Sequence, residues 1–193
     1  LLFANMIKYN RMYKFERGVH MSERINELVS RLENSRPESW DKIPDIDLYM
    51  DQVIGYMKRQ HIGLECEGEE TLTPAMINNY MKSSLLPRAH GKKYDRQHIG
   101  YLTAICLFKQ VMSVKEAGLL LGSEMEHMDV EHFYDEYCRT IDDEYLRVAD
   151  KIKGCKDKET ATKLALELAV AGYANMLACK ELIASIAETD EGK

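Results

Sequence analysis

The segment Leu72–Met112, LTPAMINNYMKSSLLPRAHGKKYDRQHIGYLTAICLFKQVM, contains six Lys or Arg residues and a single acidic residue, Asp95. Its formal charge is therefore +5, whereas the whole chain of 193 residues carries −6, which leaves −11 for the remainder. A local positive patch attracts a polyanion such as DNA, and an acidic remainder suppresses indiscriminate adhesion to nucleic acid. A basic surface that only faces solvent would have the same local charge. The arrangement of these residues therefore has to distinguish a DNA-binding surface from a solvated one.

A short helix is predicted at the start of this segment. Thr73 is a good cap and Pro74 fits the first helical position, where its missing amide costs nothing, so the helix should reach about Ser84. The residues expected to anchor it in the core, at spacings of three and four, are Ile77, Tyr80 and Met81. The residues expected to face outward are Asn78, Asn79, Lys82 and Ser83. Asparagine pairs with adenine edges and lysine with phosphates, which suits the major groove, although asparagine is also common at caps and in solvent.

The next stretch, LLPRAHGKKY, is too short for a helix and contains Pro87 and Gly91, which predicts a tight hairpin or wing. The positive or titratable residues around its tip are Arg88, His90, Lys92 and Lys93, followed by Arg96. A hairpin would lay them on a phosphate backbone beside the helix. Together with Thr73, these residues and the outward-facing ones of the helix form the predicted DNA-binding site.

Capping signals and hydrophobic periodicity predict further helices on both sides. They are Ser22–Glu33, Asp45–Gln60 with Asp45 as its cap, Arg96 to about Val111 capped by Asp95, a short helix between the Ser113/Glu116 capping box and Gly122, Ser123–Lys153 with a Ser123/Glu126 capping box and Gly154 as its stop, and Asp157 to about Glu188. There is little room for sheet, so the fold class is mainly α.

The two C-terminal helices have uncommon apolar patterns. The Ser123–Lys153 helix carries an apolar stripe that fits either a dimer interface or ordinary intramolecular core: Phe133, Tyr137, Ile141, Tyr145, Val148 and Ile152. The last helix is apolar nearly all round between Leu164 and Cys179, which is more than one packing face explains. It should touch two neighbours, and one of them can lie in another subunit.

Composition favours an ordinary globular protein of the cytoplasm. Hydrophobic residues make up 45% and charged residues 30% of the chain. Five cysteines are scattered without a CxxC spacing, which indicates neither a disulfide framework nor a zinc ribbon. The apolar tract Leu164–Ile186 contains charged residues and should not span a membrane. We expect residues 1–21 to be an N-terminal extension; a basic arm that touches phosphates is the alternative.

No catalytic, metal or cofactor motif is found. His127 and His132 are five residues apart and do not lie on one helical face, so no metal site is predicted there. The cysteines are expected to be buried small hydrophobes, with a thiol sensor as the unsupported alternative. The acidic stretch around Asp135 lacks a nucleophile or a matched acid and base, and no Gly-rich phosphate loop occurs. The sequence therefore predicts a non-enzyme without cofactors.

Several segments resemble the winged helix-turn-helix of MerR-type bacterial regulators. MINNYMKSSLLP is similar to the recognition helix and the start of the wing, GKKYD to the end of the wing, and IGYLTAICLFKQVMSVKEAGLLL to the two helices that follow. The chain departs from that family at Asn78-Asn79, where Arg-Tyr is usual, and in the long connection HIGLECEGEETLT. The LTPAMINNYMK and KKYDRQHI segments also resemble a bacterial family catalogued only as a domain of unknown function.

The MerR resemblance implies a homodimeric transcription regulator. The implied organisation is a winged helix-turn-helix lobe at 22–122 that binds double-stranded DNA, followed by a helical dimerisation or effector region at 123–193. MerR proteins dimerise through a long helix after the DNA-binding lobe, and the Ser123–Lys153 helix is placed for that role. An effector would bind between the last two helices, but no residues identify it. The competing hypothesis is a winged-helix interaction module whose basic face meets an acidic protein.

Overall fold

The computed structural model of the protein describes residues 21–60 and 72–191. These residues are mainly helical, as the sequence predicts. They form seven α-helices: α1 (Met21–Asn34), α2 (Met50–Met57), α3 (Pro74–Lys82), α4 (Arg96–Phe108), α5 (Val114–Met125), α6 (Val130–Lys153) and α7 (Lys158–Glu191). A 3-10 helix covers Trp40–Lys42, and the strands β1 (Leu48–Tyr49) and β2 (Lys93–Tyr94) form an antiparallel pair. The predicted N-terminal arm and most of the connection before α3 lie outside the described residues.

Most predicted helix starts are confirmed by their caps. The side chain of Thr73 accepts a hydrogen bond from the Met76 amide at 3.2 Å, and Asp95 accepts one from the His98 amide at 3.1 Å. Such bonds satisfy amides that have no partner inside the helix. Gly154 is the C-cap of α6, as expected. Local chemistry therefore sets these boundaries.

The predicted start of the second helix at Asp45 is wrong. Helix α2 begins at Met50, because Leu48 and Tyr49 are extended and pair with β2. The register places Leu48 opposite Tyr94, and both side chains are buried. A two-residue strand whose partner lies more than forty residues away leaves no local periodicity to recognise.

The predicted boundary between Gly122 and Ser123 is also wrong. Helix α5 continues through both residues to Met125, and α6 begins only at Val130. Asp129 is the actual cap of α6, since its carboxylate accepts a hydrogen bond from the His132 amide at 2.9 Å. The Ser123/Glu126 capping box does not form, because the apolar surface of α5 extends past Gly122 and keeps Met125 against the core.

Helix α6 lies at the centre of the fold. It contacts α1, α4, α5, α7 and the 3-10 helix. Of its predicted apolar stripe, the residues buried within the same chain are Phe133, Tyr137, Ile141 and Ile152. The Tyr134 hydroxyl, beside this stripe, donates a hydrogen bond to the Glu38 carbonyl at 2.7 Å. Of the two roles open to the α6 stripe, a dimer interface or intramolecular core, the burial of these side chains favours intramolecular core.

One cluster of buried side chains runs from Trp40 to Ile183 and joins the N-terminal and C-terminal parts of the described chain. Gly100 of α4 permits a close approach of α4 to Trp40 inside this cluster, because a Cβ atom at Gly100 would lie 2.9 Å from the Trp40 ring. Helix α7 packs on α5 and α6 of the same chain. The division into lobes at residues 122 and 123 stays a prediction.

Candidate functional site

Helix α3 presents its polar face as the sequence predicts. Ile77 and Tyr80 are buried and anchor the helix. All four residues predicted to face outward are exposed: Asn78, Asn79, Lys82 and Ser83. Met81, expected in the core, is only half-buried. Burial raises the pKa of the Tyr80 hydroxyl to about 12, so this tyrosine stays neutral at physiological pH.

The end of α3 turns sharply toward the next segment. Ser84 has a φ of 59°, and the Leu85 amide donates a hydrogen bond to the Tyr80 carbonyl at 2.9 Å. This pairing, with a left-handed residue directly after the helix, is the Schellman arrangement, in which glycine is usual. This turn places Leu85 and Leu86 in the core, and their burial fixes the position of Arg88, which is exposed two residues later.

The predicted hairpin tip is a tight turn at Gly91-Lys92. His90 and Lys93 exchange two backbone hydrogen bonds of 3.0 Å, and the two central residues have φ values of 56° and 69°. Positive φ at both central positions is typical of a type I′ turn. The hairpin prediction needs correction beyond the single His90–Lys93 bridge, because the strand that follows the turn, Lys93–Tyr94, pairs with Leu48–Tyr49 and not with a strand before the turn.

A cleft of about 640 Å³ brings part of the predicted site together. Its polar and charged lining residues are Asn78, Lys82, Arg88 and Lys92, and its apolar ones are Met50, Met81, Ala89 and the ring of Tyr94. None of these eight residues carries a negative charge. The cleft therefore combines three cations and an amide with an apolar lining, an environment suited to an anionic ligand that also offers apolar surface.

The other predicted site residues lie outside this cleft. Thr73 caps α3, and the Ser83 hydroxyl donates a hydrogen bond to the Tyr80 carbonyl at 3.2 Å. The Arg96 guanidinium lies over the Trp40 ring and 3.8 Å from the Asp45 carboxylate, so it is engaged in the fold. The remaining three, which line no part of the cleft, are Asn79, His90 and Lys93.

Asp95, the only acidic residue of the basic segment, is occupied by the cap of α4. Partial burial opposes ionisation, but hydrogen bonds from His98 outweigh it and hold the pKa of Asp95 below its usual value. Burial also raises the pKa of the Tyr94 hydroxyl, so the ring of Tyr94 lines the cleft as a neutral group. The positive charge of the cleft is thus not offset from within it.

A second cleft of about 270 Å³ lies between the end of α3 and α5. It shares Met81 and Arg88 with the first cleft and is lined on the α5 side by Gly118 and Leu121. The predicted effector site between the last two helices is a different place in the fold and stays a prediction.

Neither metal nor thiolate chemistry finds support in the described residues. Among them no group of three or more His, Cys, Asp or Glu residues is placed to hold a metal ion. Burial raises the pKa of the Cys106 and Cys138 thiols to about 11, so both are protonated at physiological pH.

Within the part of the chain that the structure describes, no helix is long and apolar enough to cross a membrane.

Sequence reasoning missed the apolar lining of the cleft. Met50 and Tyr94 reach it only because β1 pairs with β2, a contact between distant segments. Met81 falls at a core-facing position of α3, so periodicity assigns it to the interior. Ala89 is a small residue between two predicted contact residues and gives no signal of its own.

The fold and site define a mainly helical protein with a cationic, partly apolar cleft beside a short helix and a tight turn. Residues 38–137, about half of the chain, match the family described as "Domain of unknown function (DUF1836)", and the protein belongs to that family. This bears out the sequence resemblance to a family of unknown function. No curated protein and no solved structure matches the chain. The resemblance to MerR-type regulators therefore stays an interpretation of the sequence.

Proposed function

We propose that this protein is a DNA-binding transcription regulator of MerR-like type that acts in the cytoplasm. In this proposal α2 and α3 form the helix-turn-helix, α3 enters the major groove and the Gly91-Lys92 turn is the tip of the wing. The observation that supports it is the common cleft of Asn78, Lys82, Arg88 and Lys92, which no acidic residue lines. Cations and an amide on a helix and the adjoining turn can contact phosphates and base edges together.

The contact residues divide by chemistry. Lys82, Arg88 and Lys92 supply phosphate contacts, which dominate affinity and make it dependent on salt. Asn78 is the candidate base reader, because an asparagine amide pairs with the N6 and N7 atoms of adenine. A homodimer would present two such surfaces and would select a palindromic site. The proposal is of a binding protein rather than of an enzyme.

Selection of bound sequences from a random duplex library at low salt tests this function. We expect an enriched site composed of two inverted half-sites, and binding that weakens steeply as salt increases. Enrichment of no sequence, together with no retardation of any duplex at low salt, would refute DNA binding.

A second candidate function is recognition of an acidic amphipathic helix of another protein. The apolar side of the cleft, with Met50 and Met81, supports it, because methionine-lined grooves accept apolar side chains while the surrounding cations pair with carboxylates. A pull-down that recovers the same protein after nuclease treatment, with no duplex enriched in the selection, would favour this function over DNA binding.

A further inference from the structure

The outward face of α7 carries a stripe of large apolar side chains. Leu166, Val170, Tyr173 and Leu177 follow one another at spacings of four, three and four residues, so they lie on one side of the helix. Their exposed fractions are 68%, 61%, 65% and 49%. Scattered apolar residues on a surface are ordinary, but an ordered stripe of this kind is typical of an interface.

The stripe is separate from the face by which α7 packs on its own chain. Ile183 is buried in the core cluster and Cys179 packs against it. Lys180 reaches across to α5, where its Nζ atom lies 3.8 Å from the Glu116 carboxylate. At 100° per residue Cys179 and Ile183 lie more than 100° around the axis from the middle of the stripe, whereas Lys180 follows Leu177 close to the line of the stripe. The contacts of Cys179 and Ile183 with the core therefore leave the Leu166–Leu177 face uncovered.

Charge on α7 indicates what covers the stripe. Lys163 lies seven residues before Val170 and Glu181 lies eight residues after Tyr173, so the two are nearly equidistant from the middle of the stripe. Eighteen residues, five full turns, separate them, which places both on the same flank of the helix. Within its own chain Lys163 pairs with Glu159 at 2.6 Å, and in an antiparallel pair related by a two-fold axis each Lys163 also approaches the Glu181 of a second copy. A parallel pair would instead place like charges together.

Small residues and length also fit such a pair. Ala169 and Ala174 flank the stripe and allow two helices to approach closely. Burial of each stripe side chain removes on the order of 100 Å² of apolar surface, so the stripe supplies roughly 400 Å² per copy. That is about half of the ~800 Å² that each partner contributes to a standard interface, and the flanks of a helix about 50 Å long can supply the rest.

We propose that the protein forms a homodimer in which the Leu166–Leu177 face of α7 packs antiparallel against the same face of a second copy. This interface differs from the one expected on the α6 stripe, whose residues are occupied inside the chain. It does not depend on DNA binding, because the dimer is measured without DNA.

Sedimentation equilibrium of the full chain over about 1 to 200 µM tests the proposal. We expect a dimer with a dissociation constant of about 10 µM or below. The double variant Val170→Glu with Tyr173→Glu should raise this constant at least about 100-fold, because four carboxylates would then enter an apolar seam. Both residues are exposed in the single chain, so the helical circular dichroism should be retained.

Leu182→Glu is the matched control. Leu182 is 66% exposed on the same helix, but it lies about 140° around the axis from Leu177 and off the stripe. This variant should leave the dissociation constant within about twofold of the original. A chain that is monomeric at all concentrations, a dimer that tolerates the double glutamate variant, or equal dissociation by Leu182→Glu would overturn the proposed interface.

A charge exchange tests the orientation. Lys163→Glu alone and Glu181→Lys alone should each weaken the dimer roughly fivefold, because each creates two repulsive pairs, and the combination should restore it. Single variants without effect, or a combination that fails to recover, would exclude the antiparallel arrangement.

Discussion

The ammonium group of Lys93 lies 5.7 Å from the centre of the Tyr49 ring, directly opposite it in the β1–β2 ladder. This pair joins the turn at Gly91-Lys92 to the start of α2. It therefore fixes the position of the turn relative to α2, which follows Tyr49, and to α4, which follows β2. The cleft exists because of that connection, since Met50 follows Tyr49 and Lys92 precedes Lys93. A cation over an exposed ring contributes about 0.5–1 kcal/mol, so the strand pairing and burial of Leu48 supply most of the attachment.

Lys92→Gly should weaken DNA binding without destabilising the fold. Lys92 has a φ of 69°, a region that costs a non-glycine residue about 1 kcal/mol or more. Glycine removes that strain at some cost in chain entropy, so the free energy of unfolding should stay constant or rise by up to about 1 kcal/mol. The slope of log affinity against log salt should decrease in magnitude by about 1 for each Lys92, which is about 2 for a homodimer on a palindromic site, measured by fluorescence titration of a labelled duplex.

The control for this variant is Lys115→Gln, which removes one exposed positive charge from α5, away from the cleft. It should leave the salt slope unchanged. Equal effects of the two variants would show that Lys92 contributes only to the overall charge.

Asn78→Ala and Lys82→Ala should affect DNA binding in different ways. Loss of the Asn78 amide should reduce discrimination at one base pair by about 1–3 kcal/mol, whereas loss of Lys82 should weaken all sequences to a similar degree. Competition titrations with single-base variants of the selected site measure both effects. Asn79, exposed beside Asn78 but outside the cleft, is the comparison; if Asn79→Ala relaxed specificity and Asn78→Ala did not, the assigned orientation of α3 would be wrong.

Gly100→Ala should destabilise the protein by about 1–3 kcal/mol. The added Cβ atom would lie 2.9 Å from the Trp40 ring and 3.3 Å from Val130, and a ring buried in the core has little room to move. Chemical denaturation gives the change in unfolding free energy.

Gly122→Ala is the contrasting variant, because nothing lies within 4 Å of its added Cβ atom. Since Gly122 lies inside α5, three residues before its last residue, alanine should stabilise the protein by about 0.5–1 kcal/mol. Destabilisation there would contradict the continuous helix.

The capping box of α5 should contribute a pH-dependent part of the stability. The Ser113 amide donates to the Glu116 carboxylate at 2.7 Å, and this bond holds the pKa of Glu116 below its usual value. A lowered pKa in the folded state means that the contribution is fully present above the ordinary glutamate value of 4.5 and is lost as the pH falls through the folded pKa. Glu116→Gln should therefore cost about 0.5–1 kcal/mol near pH 6, and the difference should shrink toward about pH 3 in urea denaturation. A difference that stays constant with pH would show that Glu116 ionisation is not involved.

Local signals predicted the helices that start with a polar cap. Thr73, Asp95 and Ser113 each have a side chain that bonds an amide three residues ahead, and such bonds depend only on adjacent sequence. The same signals failed at Ser123. Its capping pattern is equally good, but Ser123 lies inside α5, which packs against the core as far as Met125. A capping pattern thus marks a helix start where the packing of the preceding segment leaves that position free to begin a helix.

The sequence by itself determined the mainly helical class, the polar face of α3, the turn at Gly91-Lys92 and the concentration of positive charge, because each depends on near neighbours in the chain. Only the tertiary structure decided that β2 pairs with β1, that Met50 and Tyr94 line the cleft, and that Arg96 contacts Trp40 and Asp45. It also decided that most of the apolar stripe of α6 is buried within the chain, whereas the apolar stripe of α7 is exposed. The physical reason is that burial and strand pairing join residues far apart in sequence. Their partners are selected by the free energy of the whole packed core rather than by local preference.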